Sequence, residues 1–164
     1  MSDWPIVTSR ICRSLQETIA LAGKFAPSLR RGDIVALTGT LGAGKTAFAR
    51  AVIQALADDA SDVPSPTYNL LLTYDCPARG FTIYHYDLYR LERADEVLEL
   101  DIDEAFDDGV SLIEWPDRMG RYLPADHLEI RIEPCENESA RRVIFFGSKS
   151  WKARLAPISE QWNA

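Results

Sequence analysis

An eight-residue run, Gly39-Thr-Leu-Gly-Ala-Gly44-Lys45-Thr46, constrains this chain more than any other part of its sequence. It follows the pattern G-x-x-x-x-G-K-[ST] and lies between segments of different character. Before it, Ile34-Val-Ala-Leu-Thr38 is short, continuous and largely β-branched, as suits a strand buried on both faces. After it, residues 45–57 are rich in Ala, Phe, Val and Leu and read as a buried helix. Glycines at this spacing let backbone amides converge on one centre, and the following helix adds the positive end of its dipole. A plain glycine turn has no need of a lysine inside that curl. Strand, loop and helix together predict an anion cradle built from Gly39, Thr40, Leu41, Gly42, Ala43, Gly44, Lys45, Thr46 and Ala47. Lys45 is expected to reach the β- and γ-phosphates of a nucleotide, and the Thr46 hydroxyl to ligate Mg²⁺.

The rest of the chain fits an α/β fold. Ser14 and Glu17 form a capping box before a helix over 15–25, which Pro27 ends. Trp4–Thr8 is expected as a short edge strand. Tyr68–Tyr74 and Phe81–Asp87 read as a hairpin around Cys76-Pro-Ala-Arg-Gly80, and Val110–Ile113 as a further buried strand. Glu92–Leu100 is expected to be helical, with a short helical turn over Ile102–Phe106. Alternation over His127–Glu133 and Arg142–Phe146 predicts two antiparallel strands, and Trp151–Leu155 a closing helix. The expected architecture is a single P-loop NTPase-like domain over residues 1–164, a mixed, mainly parallel sheet flanked by helices, with antiparallel hairpin additions.

Composition narrows the class. At 164 residues, 46% of them hydrophobic and 26% charged, the chain can bury one core and is not expected to be disordered. The three cysteines lie far apart with no C-x-x-C pair, which suggests neither a disulfide framework nor a zinc site. No signal-like or membrane-length apolar run is present, so a soluble cytoplasmic protein is expected. The net charge of −7 argues against a surface that clamps nucleic acid. It is unevenly distributed, because residues 75–117 hold 13 acids against three bases.

Two of those acids end strands, where side chains face a loop-borne ligand. Glu114 is a candidate for holding Mg²⁺ or orienting water, and Asp87 for similar work. Thr67, in a loop held by Pro64 and Pro66, is a candidate for bringing a hydroxyl near the γ-phosphate as a switch. The guanine-reading sequence N-K-x-D is absent from the chain, which favours adenine.

The motifs Leu41-Gly-Ala-Gly-Lys-Thr46, Ser65-Pro-Thr-Tyr68, His85-Tyr-Asp-Leu-Tyr-Arg90 and Glu114-Trp115, in this order and spacing, resemble the TsaE (YjeE) family of small bacterial P-loop ATPases. The resemblance runs from about Ser14 to Ile132. It implies ATP binding and hydrolysis in concert with two partner proteins, TsaB and TsaD, which make the threonylcarbamoyl group on the tRNA adenosine next to the anticodon. The chain would then meet tRNA only indirectly, through that complex. It also implies that Thr46 and Glu114 bind Mg²⁺, and that Thr67 and Asp87, with Lys45, support nucleotide binding or hydrolysis. His85, Arg90 and Trp115 belong to the motifs without an assigned role, the histidine and tryptophan being expected to pack. Thr40 stands where the family usually has an acid, and Ala47 where it usually has a second threonine.

The expected activity is a slow, partner-dependent, Mg²⁺-dependent ATPase, with no arginine finger evident within the chain. A small-molecule kinase is the alternative on the same loop, although the acidic middle would repel phosphorylated acceptors. A nucleotide switch without productive hydrolysis is another. Apart from Asp87 and Glu114, the acids of the middle segment read as a solvated face or as a docking surface for a basic partner protein.

Overall fold

The computed structural model describes residues 3–57 and 63–162. Its strands are β1 (Ile6–Cys12), β2 (Ile34–Thr38), β3 (Leu71–Cys76), β4 (Phe81–Asp87), β5 (Val110–Glu114), β6 (Leu128–Pro134) and β7 (Arg141–Phe146). They form a seven-stranded sheet in the order β1-β7-β6-β2-β5-β4-β3. The four inner strands β6, β2, β5 and β4 run parallel, and antiparallel pairs finish both edges. This is a mixed α/β fold of the expected class. The three parallel strands that follow one another in space, β2, β5 and β4, end on the same side. Leu37 is the register partner of Glu114, and Glu114 that of Asp87, so the two acids lie in one row beside the loop that leaves β2.

Helices α1 (Leu15–Phe25), α2 (Lys45–Leu56) and α4 (Lys149–Trp162) bury Phe25, Phe48, Val52, Trp151 and Leu155 in one core with Val35, Leu37, Ile130 and Phe145 of the sheet. A second core joins α3 (Ile102–Asp108) to Tyr84, Tyr86 and Ile113, with two 3-10 segments adding Val97 and Met119. Ser14 caps α1 by accepting from Glu17 N, while the Glu17 carboxylate returns to Arg13 N at 2.7 Å. Arg154 of α4 clamps both Asp33 oxygens at 2.9 and 2.6 Å, tying the last helix to the turn before β2. None of the helices described is long and apolar enough to cross a membrane.

Several elements differ from the sequence expectation. The N-terminal strand runs later, over Ile6–Cys12, because it pairs with β7 through Cys12. Residues 68–70 do not join β3. Leu70 takes a left-handed φ of 64° and its amide donates to Pro66 O at 2.6 Å, closing a turn that leaves Tyr68 80% exposed. Ala94–Glu99 is a 3-10 helix, not an α-helix. Its packing residues Leu91, Ala94, Val97 and Leu100 recur at every third position, the period of that tighter helix. The closing helix is longer than expected, and a further 3-10 segment occupies Pro116–Tyr122. Of the acidic middle, Glu92, Asp95, Glu99, Asp101, Asp103, Glu104, Asp107 and Asp108 are exposed. Glu96 is not free, since it accepts from Arg93 N at 2.8 Å.

Candidate nucleotide site

The loop is shaped by its glycines. A Cβ on Gly39 would stand 2.5 Å from Ile132 O, and its φ of +143° is one that L side chains rarely adopt. Gly44, with φ 115°, opens α2 without a side-chain cap. The first-turn amides of α2 are thus left for a ligand, at the positive end of a 12-residue helix. Lys45 is buried, donating to Gly39 O at 2.7 Å and to Thr40 O at 2.9 Å, with its ammonium 4.2 Å from the centre of the Trp115 ring. Burial lowers its pKa from the ordinary 10.5, against the opposing pull of Glu114, Asp87 and Asp117.

A cavity of about 360 Å³ opens over this loop, lined by Lys45, Thr46, Ala47, Thr67, Asp87 and Glu114 together with Leu41, Gly42 and Gly44. The structure thus brings the sequence-predicted side chains of two strand ends, one turn and one helix start to a single concavity. Thr46 Oγ1 donates to Glu114 Oε1 at 2.6 Å. Thr67 Oγ1 donates to Asp87 Oδ2 at 2.7 Å, and the Tyr89 amide donates to the other oxygen at 3.1 Å. Since the one Thr67 hydrogen goes to Asp87, Ser65 Oγ, 2.7 Å from Thr67 Oγ1, is the donor of that pair.

Thr40, Gly39 and Ala43 lie outside this cavity wall. Thr40 is exposed and contributes its carbonyl to Lys45. Ala43 is buried, and its carbonyl accepts from Arg141 Nε at 2.9 Å. That arginine lines a second cavity, also about 360 Å³, on the other flank of Gly42 and Gly44, with Ser14, Leu15 and Ser139.

Four further side chains stand at the site without a role legible in the sequence. His85, expected to pack, places Nε2 2.7 Å from Glu114 Oε2. Trp115 turns back over Lys45 through a left-handed φ of 58°, and its ring packs at a tilt against Tyr89, the centroids 5.0 Å apart. Arg90 lines the cavity with its guanidinium 4.2 Å from the Tyr68 ring centre. Arg141 lies in none of the motifs, and nothing in its own neighbourhood in sequence shows that β7 delivers it to the loop. The signal for the first three was their presence in the motifs themselves.

The chemistry of the donors suits Mg²⁺, which takes oxygen ligands and is bound by one or two carboxylates plus substrate phosphates. Thr46 Oγ1 and the Glu114 and Asp87 carboxylates offer that set in one cavity. Among the described residues no three His, Cys, Asp or Glu side chains converge as a cage, and a phosphate-assisted site needs none.

Comparison with known proteins points to one family. The family model described as "Threonylcarbamoyl adenosine biosynthesis protein TsaE" matches residues 12–143. The tRNA threonylcarbamoyladenosine biosynthesis protein TsaE of Rickettsia conorii is 44% identical over 124 residues, 76% of this chain and 70% of that one. The protein of the same name from Mycobacterium tuberculosis is 32% identical, over 83% of this chain and 84% of its own. A crystal structure of Bacillus subtilus YdiB superposes with a TM-score of 0.76 at 25% identity, covering 94% of this chain and 95% of that one. The chain belongs to the TsaE family.

Proposed function

We propose that this chain is the Mg²⁺-dependent ATP-binding and hydrolysing subunit of tRNA threonylcarbamoyladenosine synthesis, acting with TsaB and TsaD proteins in the cytoplasm. The observation that carries the reading is the convergence of Lys45, Thr46, Thr67, Asp87 and Glu114 on one loop-floored cavity. The names of its relatives supply the pathway. The loop amides and Lys45 hold the triphosphate, the ammonium moving from the Gly39 and Thr40 carbonyls to phosphate oxygens. The base lies toward the second cavity, which shares Gly42 and Gly44 with the first. Thr46 and Glu114 hold Mg²⁺, which when bound neutralises charge on the transferring phosphoryl group. Asp87, both oxygens already engaged, is held rigidly enough to orient the attacking water, and Thr67 reports the γ-phosphate to the 65–70 turn. Arg90, exposed, lines the same cavity as Lys45 and supplies a second cation there.

Catalysis of this kind is positioning and electrostatics, so hydrolysis is expected to be slow in the isolated chain and to rise in the complex. Purified protein incubated with ATP and Mg²⁺ should release inorganic phosphate, and chelation of the metal should stop it. Transfer of the γ-phosphate to a small metabolite instead, with no free phosphate, would replace this reading by a kinase.

A further inference from the structure

His85 sits inside β4, fully buried, with Leu72 of β3 and Leu112 of β5 as its register partners. An apolar residue would fill such a place without the cost of desolvating two ring nitrogens. The ring meets that cost on one side only. Nε2 is 2.7 Å from Glu114 Oε2, whereas Nδ1, equally buried, has no partner. A carboxylate oxygen only accepts, so Nε2 carries the hydrogen.

Glu114 is itself almost fully buried, at 2% exposure, and is gripped from two directions. His85 donates to one oxygen from β4, and the Thr46 hydroxyl donates to the other from the first turn of α2. We propose that His85 is a positioning residue, fixing the Glu114 carboxylate so that Oε1 keeps the Thr46 hydrogen and the Thr46 oxygen turns its lone pairs to the phosphate cavity. This rests on the reading of the cavity as a Mg²⁺–nucleotide site. Without the histidine, Glu114 regains other rotamers and the Thr46 hydroxyl loses its fixed acceptor. His85 touches neither nucleotide nor metal. It acts through Glu114, as an outer donor does when it orients a group that serves a metal, where loss typically costs about 10–100-fold in metal affinity.

The test is a titration of Mg²⁺ against the binding of a fluorescent ATP analogue, with a parallel measurement in EDTA. His85→Leu should raise the Mg²⁺ concentration at half-saturation by roughly 10–100-fold while leaving the EDTA affinity unchanged. His85→Gln, which keeps an N–H donor on a side chain of similar reach, should recover most of the loss. Thermal unfolding of each variant identifies a folding defect. If His85→Leu does not fold, His85→Asn, too short to reach Glu114, replaces it against the Gln variant. A wild-type Mg²⁺ half-saturation in the Leu or Asn variant overturns the proposal, as does an equal loss of affinity in EDTA. A wild-type chain whose nucleotide affinity ignores Mg²⁺ overturns the underlying metal reading instead.

Discussion

Asp87 stands opposite Glu114 in the parallel register of β4 and β5, so carboxylates from two strands close the sheet end beside the loop that leaves β2. Each already accepts a threonine hydroxyl, Thr67 for Asp87 and Thr46 for Glu114. The two hydroxyls come from different parts of the chain, one from a proline-bounded turn and one from a helix start. The site is therefore assembled only when sheet, turn and helix are all in place.

Removing the Thr67 hydroxyl leaves Asp87 Oδ2 without a donor in a buried setting. Thr67→Ala should lower the rate of ATP hydrolysis by on the order of 10²-fold with little change in ATP affinity, and Thr67→Ser should restore most of it. Steady-state phosphate release alongside equilibrium ATP binding checks both halves. Equal loss in the Ala and Ser variants would assign the effect to packing of the turn.

Lys45 gives the site a pH dependence of definite sign. Its charged form holds phosphate, and burial lowers its pKa below 10.5, so the free protein loses that cation earlier than an exposed lysine would. ATP affinity should be flat near neutrality and fall on the alkaline side, beginning below 10.5. Lys45→Arg should flatten that fall, because arginine keeps its charge throughout. A Kd–pH profile measured on both proteins decides it.

Gly39 is a structural demand of the loop. Gly39→Ala brings a methyl group to 2.5 Å from a backbone oxygen, at a φ of +143°. The cost should be about 2 kcal/mol or more, read as a lower denaturation midpoint, with nucleotide affinity lost alongside.

The acidic middle is best tested away from its structural members. Glu96 caps the 3-10 turn through Arg93 N, so reversing it would disturb the fold itself. Glu99, Asp103 and Asp107 are exposed. Their joint replacement by lysine should weaken assembly with TsaB and TsaD while ATP binding survives, provided this face meets a basic partner surface. Unchanged assembly would leave the face as solvated charge.

Much of this was legible in the sequence because its signals are local. The capping box at Ser14, the apolar run of β2, the glycine-lysine loop and the hairpin around 77–80 each lie within a few adjacent residues, and all fold as their own chemistry directs. Leu70 was misread because its left-handed turn is fixed by Pro66 O and Asp87 N, the second of which lies on another strand. The pairing of β1 with β7 joins opposite ends of the chain and leaves no local mark. His85 followed the same pattern, since only the register of β4 against β5 shows that an interior histidine faces a strand-end glutamate. Its place in a motif was visible, but its partner was not.

The proposed role, ATP hydrolysis at this loop sustaining tRNA modification, is measured by multiple-turnover threonylcarbamoylation of tRNA with TsaB, TsaD and ATP, comparing the wild-type chain, Lys45→Ala and no addition. Modification should continue over many turnovers only with the wild-type chain. Undiminished modification with Lys45→Ala, or with the chain left out, would contradict it.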